Sequence, residues 1–203
     1  MFGELTPALI GPNAILQMLA PLDRHLGRSA RDVLLKDAGI ACLPDGHAMI
    51  PEAQAVALFR VLAAAHPEAS TRVTAEAGAG TADYILAHRI PRRAQAVLRL
   101  LPAPLATRAL ARAIARHAWT FAGSGAFRIS ARRPLTFEIA TNPLAVMPGG
   151  CAWHAAVFAR LFLALADPAI QVKETACCAR GAAACRFEIL APRAAQFSRT
   201  SRV

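Results

Sequence analysis

Apolar residues recur at three- and four-residue spacing through the first 122 positions, and at two-residue spacing after Gly125. The change of period predicts helices first and strands second. "PNAILQMLAPLDRHLG" (12–27) reads as one helix, and "SARDVLLKDAG" (29–39) as another with Ser29 as N-cap and Gly39 as its stop. "PEAQAVALFRVLAAAHP" starts on Pro51 in a first-turn position, with Val56, Phe59 and Leu62 or Ala63 on its inward face. The segment 68–90 continues as helix through Gly78 and Gly80, each costing about 1 kcal/mol against alanine, so another element is expected to pack closely there. A last long helix is predicted from Leu105 to Ala122. Beyond it, "AFRIS" and "LTFEIAT" alternate about an "ARRP" turn, "GGCAWHAAVFARLFLALAD" is amphipathic and entered through Pro148, Gly149 and Gly150, and "IQVKETACC" pairs with "ACRFEIL" about Gly181. The expected fold class is α+β, a helical N-terminal part (1–122) followed by an antiparallel β-β-α-β-β unit (123–190) and a flexible tail (191–203), all in one domain.

Length and composition are compatible with this. The 203 residues are enough for one full core, and the apolar fraction of 55 % owes much to alanine. The longest apolar stretches are broken by Arg60 and Arg160 and fall short of the roughly 18 residues a membrane span needs. No signal-peptide pattern opens the chain, so a cytoplasmic location is expected. The net charge of +10 rests on arginine, since Lys36 and Lys173 are the only lysines. It is unevenly spread: no acidic residue occurs from Tyr84 until Glu138, while ten arginines do. Such a stretch calls for an anionic neighbour, whether a ligand carboxylate, lipid headgroups at a peripheral membrane contact, or an acidic partner enzyme. Nucleic acid is not expected, because no helix-turn-helix or aromatic platform accompanies the charge.

Candidate chemistry concentrates near the C-terminus. An odd set of five cysteines argues against a disulfide framework in a reducing compartment, leaving metal binding or core packing. Cys177 and Cys185 lie four residues either side of Gly181, so a symmetric hairpin sets them opposite each other with Cβ atoms roughly 4.5–5.5 Å apart. Cys178 points to the other face. Glu174 also belongs on the opposite face in an ideal strand, unless a bulge near Thr175 turns it inward. Cys151 begins a helix, where free N–H groups favour a thiolate. Three thiolates and one carboxylate suit zinc, yet Cys151 and His154 form a competing pair, and spacing alone does not choose between His154 and Glu174.

The string C-x22-E-x2-C-x7-C, read as Cys151, Glu174, Cys177 and Cys185 with "ARG" in the turn and "CRFE" after it, resembles the 4-vinyl reductase (4VR) domain family. The resemblance implies a structural zinc on those four residues. It also implies the fold shared with TRAPP subunits and haem nitric-oxide-binding domains, commonly as a homodimer. Such a cluster would carry a formal charge of about −2, with Lys173, Arg180 and Arg186 near in sequence to offset it. "GTADYILAHRIP" and "LAVMPGGCAWHAAVFARLF" are similar to the bacteriochlorophyll 4-vinyl reductase branch of that family over nearly the full chain. That branch implies a role in bacteriochlorophyll synthesis on a divinyl Mg-tetrapyrrole intermediate, alongside other enzymes of that synthesis.

Reduction of a vinyl group needs a donor that amino acids do not supply. The nearest nucleotide pattern, "GAGTAD" at Gly78, follows no strand and lacks a third glycine, so no NAD or flavin motif is present, and no iron–sulfur motif either. A carrier or accessory factor for a chlorophyll precursor is therefore the leading expectation; a vinyl reductase with an external reductant and a small-molecule sensor domain are the alternatives. A flat macrocycle with a carboxylate edge needs an apolar slot and cations at its mouth. The helix from Leu105 offers Leu110, Ile114 and Phe121 with Trp119 for the slot, Arg108, Arg112 and Arg116 for the carboxylate, and His117 for the central magnesium. Ordinary core packing under a solvated arginine face accounts for the same pattern.

Overall fold

A computed structural model describes residues 7–146 and 151–191. The helices of its N-terminal part are α1 (Asn13–Leu16), α2 (Leu19–Leu26), α3 (Arg28–Asp37), α4 (Glu52–Ala65), α5 (Pro67–His88), α6 (Arg92–Leu100) and α7 (Ala103–Arg116). Two strands of two residues each, β1 (Leu9–Ile10) and β2 (Ile50–Pro51), pair antiparallel among them. The C-terminal part runs β3 (Ala126–Arg132), β4 (Leu135–Ala140), α8 (Ala152–Leu165), β5 (Gln171–Ala176) and β6 (Ala184–Leu190). Its four strands form one antiparallel sheet in the order β3-β4-β6-β5. The α+β class and the β-β-α-β-β order thus appear as the periodicity predicts.

Several boundaries differ from expectation for local reasons. The segment 12–27 is two helices because Pro21 has no N–H to offer the Gln17 carbonyl, so the chain tightens at Met18 and restarts. The cap of α3 is Gly27 at φ 83°, ahead of the expected Ser29. The last long helix ends at Arg116, not Ala122, since the His117 and Thr120 amides turn back to carbonyls three residues earlier and Ala118–Thr120 form a 3₁₀ turn. Helix α6 and the β1–β2 pair were not anticipated. The expected helix entry through Pro148, Gly149 and Gly150, and the tail from residue 192, lie outside the described residues.

One apolar core runs from α1, α2 and α4 through α5 and α8 to the inner face of the sheet. Helices α5 and α8 share the most extensive contact between any two elements. A Cβ on Gly78 would collide with the carbonyl oxygen of Trp153 and stand 3.0 Å from Cβ of Ala156. Close approach of another element at this glycine is thus what the structure shows. From the sheet, Phe127, Phe137 and Phe187 meet Phe158 of α8, the last two edge-to-face at 5.0 and 5.3 Å between centroids. Cys185, Phe187 and Ile189 therefore share the buried face of β6, while Arg186 and Glu188 face outward. Among the described residues no helix is long and apolar enough to cross a membrane.

Candidate metal centre

The start of α8 and the end of the β5–β6 hairpin meet at one corner of the core. Cys151 is the N-cap residue of α8, Cys177 follows β5 directly, and Cys185 is the second residue of β6. Glu174 reaches the same place through a bulge. The register passes from Glu174↔Phe187 to Ala176↔Arg186, so Thr175 is the extra residue, and strand alternation is reset at the position needed to bring Glu174 to the side of Cys177. Gly181 closes the hairpin at φ 84°, and the Arg180 and Ala182 amides donate to the Cys177 carbonyl, fixing that residue past the strand end.

One ligand atom from each of Cys151, Glu174, Cys177 and Cys185 lies within 4.8 Å of the others. The sulfur atoms stand 3.8 Å (Cys151 to Cys177), 3.9 Å (Cys185 to Cys177) and 3.0 Å (Cys151 to Cys185) apart. Thiolates about 2.3 Å from a tetrahedral ion would stand about 3.8 Å apart, so two of the three edges already have the required length. The third is too short for two thiols at rest and opens when a cation takes up both sulfurs. The three cysteines are buried and the Glu174 side chain is 15 % exposed, so a dication would be enclosed on all four sides. This group could hold a metal ion.

Fixed dipoles converge on the same cage. Asn142 donates its Nδ2 to Cys151 Sγ at 3.2 Å, the Cys178 amide donates to Cys185 Sγ at 3.3 Å, and the Cys151 amide donates to Glu174 Oε1 at 3.1 Å. Arg180 places Nη2 3.5 Å from Glu174 Oε1. The hydrogen bond from Cys151, helped by the Cys178 amide and Asn142, pulls the Cys185 thiol down to about 6 against the opposing effect of burial. The same bond, with burial and the neighbouring anions, pushes Cys151 far above the usual thiol range. Burial raises Cys177 to about 11. The metal-free cage therefore holds one thiolate near neutral pH, and a cation that binds all three sulfurs must expel the protons of the other two.

His154 is excluded from the cage by its own bonds. Its Nε2–H donates to the Phe121 carbonyl at 3.2 Å, and that tautomer leaves Nδ1 to accept from Asn142 Nδ2 at 3.4 Å. Burial lowers its pKa to about 4, keeping the ring neutral. Of the cations expected to offset the cluster, Arg180 is in place, but Arg186 is on the outer face of β6 and bonded to Glu138 at 3.0 Å. Lys173 is exposed on β5.

A family model for the 4VR domain matches residues 142–191, a span that contains all four cage residues. Over 185 residues the chain is 52 % identical to the bacteriochlorophyll synthase 23 kDa chain of Cereibacter sphaeroides, covering 89 % of this chain and 90 % of that one. It is 48 % identical to the protein of the same name from Rhodobacter capsulatus, covering 88 % and 85 %. The chain belongs to the bacteriochlorophyll-related 4VR-domain family. The narrower expectation of a bacteriochlorophyll 4-vinyl reductase branch goes beyond these names. Among solved structures, an Fe(II) unliganded H-NOX protein mutant from K. algicida is similar with a TM-score of 0.53 over 91 % of this chain and 98 % of that one. At 10 % identity the likeness is one of fold, and it agrees with the expected haem nitric-oxide-binding type of fold.

The matched span opens on Asn142, a residue that sequence reasoning did not single out. Its Oδ1 accepts from the Leu144 amide at 3.1 Å, which aims Nδ2 at both Cys151 and His154. An Asn-Pro turn between the last residue of β4 and the first metal-ligand candidate was the available signal. The residues expected to meet a tetrapyrrole are distributed differently from the expected slot. Leu110 and Ile114 are consumed by the core, and Phe121 packs against Phe127 and Phe158. Arg108, Arg112, Arg116 and His117 are exposed, and Trp119 is 60 % exposed.

Proposed function

We propose that the chain is a zinc-braced accessory protein of bacteriochlorophyll synthesis that binds a chlorophyll-precursor tetrapyrrole and carries it between enzymes. The observation that carries this reading is the near full-length likeness to two bacteriochlorophyll synthase 23 kDa chains. Zinc suits the donor set, since three sulfurs and one oxygen in a closed tetrahedral arrangement favour it over calcium or magnesium. Bound there, zinc would act as a cross-link between β5, β6 and α8. Four protein ligands leave no position for a substrate, so any pigment chemistry belongs elsewhere.

His117 supports a pigment contact. Its Nδ1–H donates to the Ala113 carbonyl at 2.9 Å, so Nε2 carries the lone pair and faces solvent, the tautomer that can ligate magnesium. Trp119 offers an exposed indole two residues on, and Arg112 and Arg116 supply cations for a propionate edge. The reading rests on a surface platform of these residues in place of the buried slot.

The test is a spectral titration of the purified chain with Mg-porphyrins and their divinyl forms, with and without NADPH. Saturable binding without reduction, weakened at least about tenfold by His117→Ala, is the expected outcome. Turnover by the chain alone would replace the carrier reading with that of a vinyl reductase. Absence of binding would reject both.

A further inference from the structure

Helix α6 is built inside out. Its only buried residue is the polar Gln95, whose Nε2 donates to the carbonyls of Leu86 and Ile90 at 2.6 and 2.9 Å and so closes the end of α5. The apolar residues on the opposite side are left to solvent: Val97 is 57 % exposed and Leu100 is 86 % exposed. With Arg93 and Ala96 these two share one outward stripe by the three-and-four spacing of a helix. The stripe continues across the Leu101–Pro102 link. Leu105, at 50 % exposure, opens the outward face of α7, and Arg108 and Arg112 follow it at three and seven residues while Leu110 and Ile114 turn inward. Both helices lean on α8, and Arg99 ties α6 there by donating Nε to the Ala164 carbonyl at 3.1 Å.

The charge around this ridge is of one sign and unspent. No Asp or Glu occurs between Asp83 and Glu138. Elsewhere arginines are paired: Arg24, Arg31, Arg128, Arg160, Arg180 and Arg186 all reach carboxylates. Arg92, Arg93, Arg108 and Arg112 have no carboxylate partner among the described residues. Single exposed leucines are ordinary. Three exposed aliphatic side chains on adjoining helix faces, ringed by unpaired arginines and directed away from a core that takes glutamine instead, are a surface with a use. Leu100 projects as a knob and lines no groove, which suits a deformable surface better than a preformed protein pocket.

We propose that the α6–α7 corner docks the protein onto an anionic lipid surface. Val97, Leu100 and Leu105 enter the boundary between headgroups and acyl chains, and Arg92, Arg93, Arg108 and Arg112 pair with lipid phosphates by extending their aliphatic stems.

The experiment is co-flotation of the full chain with vesicles of phosphatidylcholine alone and with about one-third phosphatidylglycerol, at low salt and at about 0.5 M salt. Binding to the anionic vesicles only, suppressed by salt, is expected. Leu100→Asp with Val97→Asp should lower partitioning at least about tenfold, since a charge replaces each inserted side chain. Arg92→Gln with Arg93→Gln should lower it about fivefold per arginine. These positions are exposed, so circular dichroism should match the wild type. Leu100→Trp gives an independent readout, with emission shifting to the blue on binding and quenched by lipids brominated on their chains. Failure of the wild type to float with anionic vesicles overturns the proposal, as does binding indifferent to the aspartate pair. Retention on a polyglutamate matrix, lost in the arginine pair and without vesicle binding, would assign the corner to an acidic protein and overturn it too. No pigment enters the assay, so its result stands apart from the proposed function.

Discussion

Replacing Gly78 by alanine sets two effects of opposite sign against each other, and the structure decides between them. On helix propensity alone the change should stabilise the 22-residue α5 by about 1 kcal/mol. The new Cβ, however, would overlap the Trp153 carbonyl oxygen and sit 3.0 Å from the Trp153 carbonyl carbon, both backbone atoms next to the first turn of α8 that cannot swing aside. Relief requires α5 and α8 to separate by about 1 Å, and a gap of that size forfeits a quarter to a half of each dispersion contact across it. Overpacking of this kind costs about 1–3 kcal/mol, and the separation is shared by the buried Val73, Thr74, Ala77, Thr81 and Ala82 along the same helix. The upper end of that range applies, giving a net loss of about 2 kcal/mol, or roughly 4–8 °C in Tm for a chain of this length. Gly80→Ala is the internal control. Its Cβ meets only the flexible end of Gln17, at 3.0 Å, so the propensity gain should survive and the variant should be no less stable than the wild type. Urea unfolding followed by far-UV circular dichroism compares the two. If Gly78→Ala matches or exceeds the stability of Gly80→Ala, the close crossing of α5 and α8 is wrong.

The remaining predictions concern polar groups. Cys177→Ser and Cys185→Ser should each abolish stoichiometric metal in the purified protein, measured by elemental analysis, and lower Tm by the same step as chelation does to the wild type. His154 has its pKa lowered to about 4 by burial, below an unfolded value near 6.5, so the unfolded state binds the extra proton. Stability should thus be full above about pH 6.5 and decline by up to about 3 kcal/mol towards pH 4. Urea midpoints of the chelated protein between pH 7 and 4.5 check this, and His154→Gln should flatten the profile. Glu138 lies buried between Arg128 and Arg186 on the outer face of the sheet, and their hydrogen bonds, Arg128 first, hold its pKa below the usual carboxylate value. Its contribution is present above about pH 4.3 and lost as pH falls through the depressed value. Glu138→Gln should cost about 1 kcal/mol at pH 7, a figure reduced because both arginines are half exposed, and nothing at pH 2 to 3.

Elements whose burial pattern matches their period were legible in the sequence. The segments 51–67 and 68–90 bury one stripe each and emerged as α4 and α5, and Phe137, Ile139, Phe187 and Ile189 alternate because one sheet face is wet. Helix α6 escaped for the physical reason that makes it interesting. Its apolar stripe is real but points outward, and its inward residue is Gln95, so no rule that equates apolar with buried assigns it. The β1–β2 pair is too short to carry a period. In the cage, the coming together of Cys177, Cys185 and Glu174 followed from hairpin symmetry plus a bulge, whereas Asn142 did not, since its role depends on a turn at the far end of β4. The tetrapyrrole slot was misread because an amphipathic helix has one apolar stripe to give, and α7 gives it to the core through Ala106, Leu110, Ala111 and Ile114.

The position of the cage in the sheet explains why a fold with a continuous apolar core would still need an ion. Strand β5 is an edge strand hydrogen-bonded only to β6, and its residues alternate between exposed and half-buried, with none fully inside. Its hydrophobic contribution is correspondingly small, and the bulge at Thr175 interrupts the ladder it does form. Glu174 and the adjoining Cys177 supply two of the four candidate ligands from this weakest element, while Cys151 and Cys185 belong to a buried helix start and an interior strand. An ion bonded to all four would therefore transfer the rigidity of the core to the one strand that apolar packing does not hold. The same geometry accounts for the bulge itself: an unbroken β5 would turn Glu174 to the solvent face and leave three thiols crowded at 3.0–3.9 Å with no fourth ligand.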